Sequence, residues 1–222
     1  MIDPKIESAA EAALVAFSRY NSFNAVQLTA KFKDVFASDE DFLSKVDLLD
    51  AVFDDNPKLE ALREVFFDLL MINFFSADVK KLEDDYLETQ EWEQIEEQTL
   101  DRGTELLNLL LYLNECEDED IEPELEDYLK EFLLVDEDEF QDEYRIYEPV
   151  IENQILMESP VAEISRVAKE LPEDSEIKEI FYPLMCFFQN TSTGEYEIDK
   201  IAESAVSKDF DMAVLEILIS FK

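Results

Sequence analysis

An all-α fold, with about ten helices in an irregular array, is what this 222-residue sequence predicts, and three observations carry that expectation. Glycine occurs only twice, at Gly103 and Gly194, which leaves little material for tight β-hairpins. Apolar residues recur at spacings of three and four along nearly the whole chain, the signature of a helix with one buried face. Prolines stand where those periodic runs begin or stop, as at Pro4, Pro57, Pro123, Pro160 and Pro172.

Taken in order, Asp3 and Pro4 form a cap and first helical position, and Ile6, Ala9, Ala10, Ala13, Leu14 and Phe17 make the apolar stripe of the first helix. A second helix is expected over 24–36, carried by Val26, Leu28, Phe32 and Val35. Ser38 opens Ser-Asp-Glu-Asp, read as a cap with acids in the first turn, before a face of Phe42, Leu43, Val46, Leu49, Val52 and Phe53. Asn56-Pro57 closes that helix and caps the next, with Leu59, Leu62, Val65, Phe66, Leu69 and Leu70. After Ser76 a more polar helix is expected around Val79, Leu82 and Tyr86. One long helix then spans about 89–114, holding Trp92 and Ile95 and the apolar run 106–113 as a buried spine.

In the second part of the chain, Glu122-Pro123 opens a helix with Leu125, Tyr128, Leu129, Phe132 and Leu133 on one side. Phe140, Tyr144 and Tyr147 predict another before Pro149, continued by 150–157. Ser159-Pro160 starts a helix with Val161, Ile164 and Val167. Ile177, Ile180, Phe181, Leu184 and Phe188 form the next, with a kink expected at Pro183 because proline removes a donor and crowds the preceding turn. Two final helices carry Ile198, Ile201 and Ala205, then Phe210, Val214, Ile217, Leu218 and Phe221.

Positions 115 apart resemble each other. Val46, Leu49, Val52 and Pro57 fall on Val161, Ile164, Val167 and Pro172, and Leu62-Arg63-Glu64-Val65-Phe66-Phe67 falls on Ile177-Lys178-Glu179-Ile180-Phe181-Tyr182. Ile6, Leu14 and Phe17 match Ile121, Leu129 and Phe132 in the same register. Helical periodicity alone brings some apolar positions into phase, but the aligned prolines and the Arg-Glu/Lys-Glu pair are harder to obtain that way. Two tandem helical repeats, 1–114 and 115–222, packed as one continuous unit, are therefore expected, and stacked units of this kind present an extended surface.

The chain is 47% hydrophobic with 17 Phe, too apolar for a disordered acidic tail. Its net charge of −39 nevertheless repels nucleic acid and anionic lipid, so a partner recruited at long range is basic. A halophilic origin is the bland alternative. Cys116 and Cys186 do not make a disulfide framework in a chain this long, and no basic region followed by an apolar run stands at the N-terminus. A soluble cytoplasmic protein is the expectation.

Several chemistries lack their residues. Without histidine there are no Ser-His or Cys-His nucleophile pairs and no imidazole acid–base work. Two glycines cannot build a phosphate-cradling loop, and neither is preceded by the alternating Asp/Asn of a calcium loop. No cofactor and no metal site is expected. A carboxylate-only enzyme would need two acids converging in a deep pocket, and 57 acids point to no particular pair.

What remains is the stretch 115–143, with sixteen carboxylates against Lys130 alone. Its bland reading is a solvated helix face. Its sharper reading is a fixed row of negative charge, because Glu124, Asp127 and Glu131 recur at helical spacing opposite Leu125, Leu129 and Phe132. Asp118, Glu119 and Asp120 precede that row, and Asp136, Glu137, Asp138, Glu139, Asp142 and Glu143 extend it. Tyr144 and Tyr147 would add aromatic contacts. The expected function is thus non-catalytic: an acidic surface engaging a basic protein, as an inhibitor, immunity protein, chaperone-like binder or nucleic-acid mimic. The alternative is a helical scaffold binding through an apolar groove, its acids serving solubility alone.

Overall fold

The computed structural model describes residues 2–77, 84–133, 140–191 and 197–222, and every regular element among them is helical. In chain order these are α1 (Pro4–Ser18), α2 (Ala25–Ala37), α3 (Phe42–Asp54), a 3₁₀ segment (Pro57–Leu62), α4 (Arg63–Ala77), α5 (Asp84–Leu87), α6 (Gln90–Thr99), α7 (Leu106–Asp118), α8 (Leu125–Leu133), α9 (Phe140–Glu152), a second 3₁₀ segment (Gln154–Glu158), α10 (Val161–Glu170), α11 (Lys178–Thr191), α12 (Ile198–Ser204) and α13 (Lys208–Phe221). Val79 and Leu82 lie outside the described residues.

Local chemistry sets the helix starts. The Asp3 carboxylate accepts the Lys5 N–H at 2.8 Å with Pro4 at the first helical position, as the sequence predicts. Asn24 caps α2 through the Gln27 N–H. The expected cap at Ser38 is displaced: Ser38 terminates α2, and Asp41 caps α3 by accepting the Ser44 N–H at 2.8 Å. Asp41 stands directly before Phe42, and its carboxylate both accepts a first-turn N–H and favours the positive end of the helix. That N–H also holds the Asp41 carboxyl below its usual range.

The predicted long helix over 89–114 is two helices. Gly103 adopts φ +85 between α6 and α7, and the loop is pinned there by two carboxylates one turn apart on α4. Glu64 accepts the Gly103 N–H at 2.8 Å, while Asp68 accepts the Thr104 N–H at 3.0 Å and the Thr104 hydroxyl at 2.6 Å. The same hydroxyl accepts the Leu106 N–H and starts α7. A Cβ on residue 103 would lie 2.6 Å from Asp68 Oδ1, so glycine is required twice over. Neither Pro149 nor Pro183 ends its helix, since α9 and α11 continue through them; α9 stops at Glu152, and 154–158 is 3₁₀.

Helices from the two ends of the chain meet in the core. α1 lies along α13, with Ala9, Ala10, Ala13 and Ala16 buried, and small side chains there let the two backbones approach closely. Phe32, Phe53 and Phe66 cluster between α2, α3 and α4, with ring centroids 4.5–5.8 Å apart. α7, whose residues Leu106, Leu109, Leu110, Leu113 and Cys116 are buried, packs on α4, α8 and α13. Trp92 rests half-buried against Phe75 and Tyr86. Cys116 and Cys186 are buried free thiols, and burial pushes Cys186 up to about 12. No helix among the described residues is long and apolar enough to cross a membrane.

Candidate functional site

The acidic stretch begins at the C-terminal end of α7. Asp120 takes the left-handed conformation (φ +56), its N–H donates to Glu117 O at 3.1 Å, and the Ile121 N–H reaches back to Cys116 O at 2.9 Å. This is a Schellman-type stop, a place usually held by Gly or Asn. Around it stand Glu115, Glu117, Asp118, Glu119 and Asp120, all exposed. A helix C-terminus is its negative end, so carboxylates are least favourable there.

Buried tyrosines fix the path from this stop into α8. The Tyr112 hydroxyl donates to Glu124 O at 3.1 Å and accepts the Glu124 N–H at 3.0 Å, setting the first turn of that helix. Leu125, Tyr128 and Leu129 then face the core while Glu124 stays exposed and Asp127 half-exposed. The Tyr128 and Tyr147 hydroxyls lie 2.7 Å apart, and Tyr147 donates to Glu105 at 2.7 Å. Tyr128 also stacks on Phe188, with centroids 5.8 Å apart. These contacts tie α8 and α9 to α7, and burial pushes both tyrosine pKa values upward.

Tyr147 therefore corrects an expectation. It is 2% exposed and serves as a strut beneath the acidic surface, too deep for a partner to touch. Asp118, Glu119 and Asp120 stand at the end of α7, and Glu124 and Asp127 at the start of α8. Asp136, Glu137, Asp138 and Glu139 lie outside the described residues, and so do the side chains of Glu131, Asp142, Glu143 and Tyr144.

Nine carboxylates occupy 115–127. Among the described residues, Lys5 pairs with Glu117, Lys222 with Glu122, and Lys130 with Glu126. Among the described residues, Asp118, Glu119, Asp120, Glu124 and Asp127 have no ion pair. Contacts such as Lys5 with Glu117 join residues more than a hundred positions apart, and no local pattern announced them.

A groove of about 900 Å³ opens beside this end of α7, lined by α1, α4, α7 and Phe221. A smaller pocket of about 440 Å³ lies at α11 and α13, with Tyr182 and Asp211 in its wall. Burial pushes Asp211 up to about 6, but its Oδ2 already accepts the Val206 and Ser207 N–H groups at 2.7 and 2.9 Å, which caps α13. That carboxylate has a structural occupation. Among the described residues, no group of three or more Cys, Asp or Glu is arranged to hold a metal ion.

No protein-family model matches this chain, and neither a curated protein nor a solved structure gives a match.

Proposed function

We propose that this protein is a non-catalytic binder of basic protein surfaces, and that the segment from the end of α7 into α8 is its contact face. The observation that carries this reading is the set of carboxylates Asp118, Glu119 and Asp120 at the negative end of α7, without a counter-ion among the described residues. A stop signal with Gly or Lys there would be more stable, and departures from the stable choice are expected where a surface has work to do. The tyrosine struts below it support a field that is fixed in space. An inhibitor, an immunity protein or a chaperone-like binder of a basic protein would use such a face. A nucleic-acid mimic would use it too, its carboxylates standing where phosphates otherwise sit.

The test is salt. Association with an immobilised basic protein should weaken steeply as ionic strength rises from roughly 50 to roughly 500 mM, as charge-driven contacts do. Binding confined to neutral or acidic partners, or indifferent to salt, overturns the proposal.

The groove beside α7 favours a second reading, a helical scaffold that binds through apolar contacts while the acids serve solubility. Neutralising Asp118 and Asp120 would then leave binding intact. Either reading is compatible with a duplicated helical unit. α9 follows α2 at a spacing of 115 at both ends, Ala25 to Phe140 and Ala37 to Glu152, and α11 begins 115 residues after α4. Leu49 and Ile164, and Val35 and Val150, are buried at matching positions. The two buried thiols suit a reducing compartment such as the cytoplasm.

A further inference from the structure

We infer that the groove between α1, α4 and the C-terminal end of α7 docks an amphipathic basic segment of the partner, a refinement that rests on the binding role proposed above. The floor is apolar: Ile72 and Phe75 from α4, Leu111 from α7, and Phe221. The rim is acidic, with Glu115, Glu117, Asp118 and Glu119 along α7 and Asp3 opposite. Among the described residues of the lining, Lys5 is the single cation, against five carboxylates.

Lys5 also shows how the groove receives an alkylammonium. Its Nζ lies 5.4 Å from the Phe221 ring centroid, 3.3 Å from Phe221 O and 3.5 Å from Asn114 Oδ1, and it pairs with Glu117. The stem runs over apolar surface while the charged head finds a ring face and oxygens, the arrangement that suits lysine and arginine at interfaces. Asp118 and Glu119, on the same rim, have no cation of their own among the described residues. Further basic side chains from a partner would complete them, and apolar residues between those side chains would reach Leu111, which is half-exposed. A second copy of this chain is disfavoured as occupant by its charge of −39, and a nucleic acid by the same repulsion.

Two synthetic probes of equal positive charge test this: a helical Leu/Lys peptide of about 16 residues, and an oligolysine. Their binding to the full chain is followed by fluorescence anisotropy at low salt. The Leu/Lys peptide should bind at least tenfold tighter than oligolysine. Leu111→Lys on the floor and the pair Asp118→Asn/Glu119→Gln on the rim should each weaken it at least tenfold. Asp199→Asn/Glu203→Gln, on the exposed side of α12 at the far end of α13 (about 20 Å away by helix length), should change it less than twofold. Circular dichroism identifies any variant that has lost its fold, and the floor and rim variants fail independently. A loss in the rim variant with none in Leu111→Lys, or an equal loss in the α12 variant, overturns the groove and leaves a broader acidic-surface reading standing. Equal binding by wild type and both groove variants overturns the groove and the α7 contact face together. If neither probe binds, both fall together.

Discussion

Around Arg63 and Arg102 the carboxylates meet cations, whereas at the end of α7 Asp118, Glu119 and Asp120 meet none among the described residues. Arg102 donates to Asp50 at 3.0 and 3.1 Å and to Glu64 at 2.9 Å, and Arg63 donates to Asp50, Asp54 and Glu60. Both guanidiniums also lie over rings, Arg63 at 5.4 Å from the Phe53 centroid and Arg102 at 4.9 Å from Phe67. The two regions use the same residue types for opposite ends. In one, acids fasten α3 and α4 to the loop before α7; in the other, acids are held out to solvent by a frame that does not need them. Net charge is blind to that difference, and only the pairing reveals it.

The comparison is sharpest at the carboxylates drawn fully inside. Asp211 has a folded pKa of about 6 against an ordinary 3.8, raised chiefly by burial. A raised carboxyl contributes stability that is fully present below about pH 4 and lost as pH climbs through about 6. Relative to Asp211→Asn, the wild type should lose on the order of 3 kcal/mol across that window, measured by urea unfolding at successive pH values. A flat difference between the two proteins would place Asp211 with the solvated acids.

Removing a cation from the paired region is the next largest perturbation. Arg102→Met should cost about 2 kcal/mol, because it leaves half-buried Glu64 without its cation and Asp50 with Arg63 alone. A loss below about 0.5 kcal/mol, typical of an exposed pair, would erase the distinction between the regions. Gly103→Ala should cost about 1–2 kcal/mol, through its positive φ and the approach to Asp68 Oδ1, seen as a lowered Tm. At the end of α7 the sign reverses. Asp118→Lys should stabilise the fold by about 0.5 kcal/mol by complementing the helix dipole, while weakening capture of a basic partner. Should it destabilise by more than that, Asp118 is a structural acid and the contrast fails.

Much of this was legible before any coordinates. The 3- and 4-residue spacing located α1, α2, α8 and α13, and Asp3-Pro4 marked its helix start, because these are local effects written within one or two turns. The division between α6 and α7 was not legible. Asp101-Arg102-Gly103-Thr104 interrupts the apolar spacing between Leu100 and Leu106, but a polar stretch is also compatible with a solvated helix face, and the decisive partners, Glu64 and Asp68, lie more than thirty residues away on α4. Tyr147 is misread for a related reason: an aromatic that follows an acidic run looks surface-bound until Tyr128 and Glu105 claim its hydroxyl. Of the acidic face, composition located the carboxylates at 118–127, but which of them carry a counter-ion depends on Lys5 and Lys222, brought in by the fold.

The packing of α1 on α13 sets a condition on how the chain reaches this structure. A ribosome makes the alanine-lined face of α1 some two hundred residues before the helix that covers it. α2 and α4 can pack on α1 early, but its side toward α13 stays uncovered until the end, so complete burial of the first helix awaits the last through a slow, long-range closure. Nascent chains stalled short of α13 should therefore be the ones that chaperones hold and proteases cut.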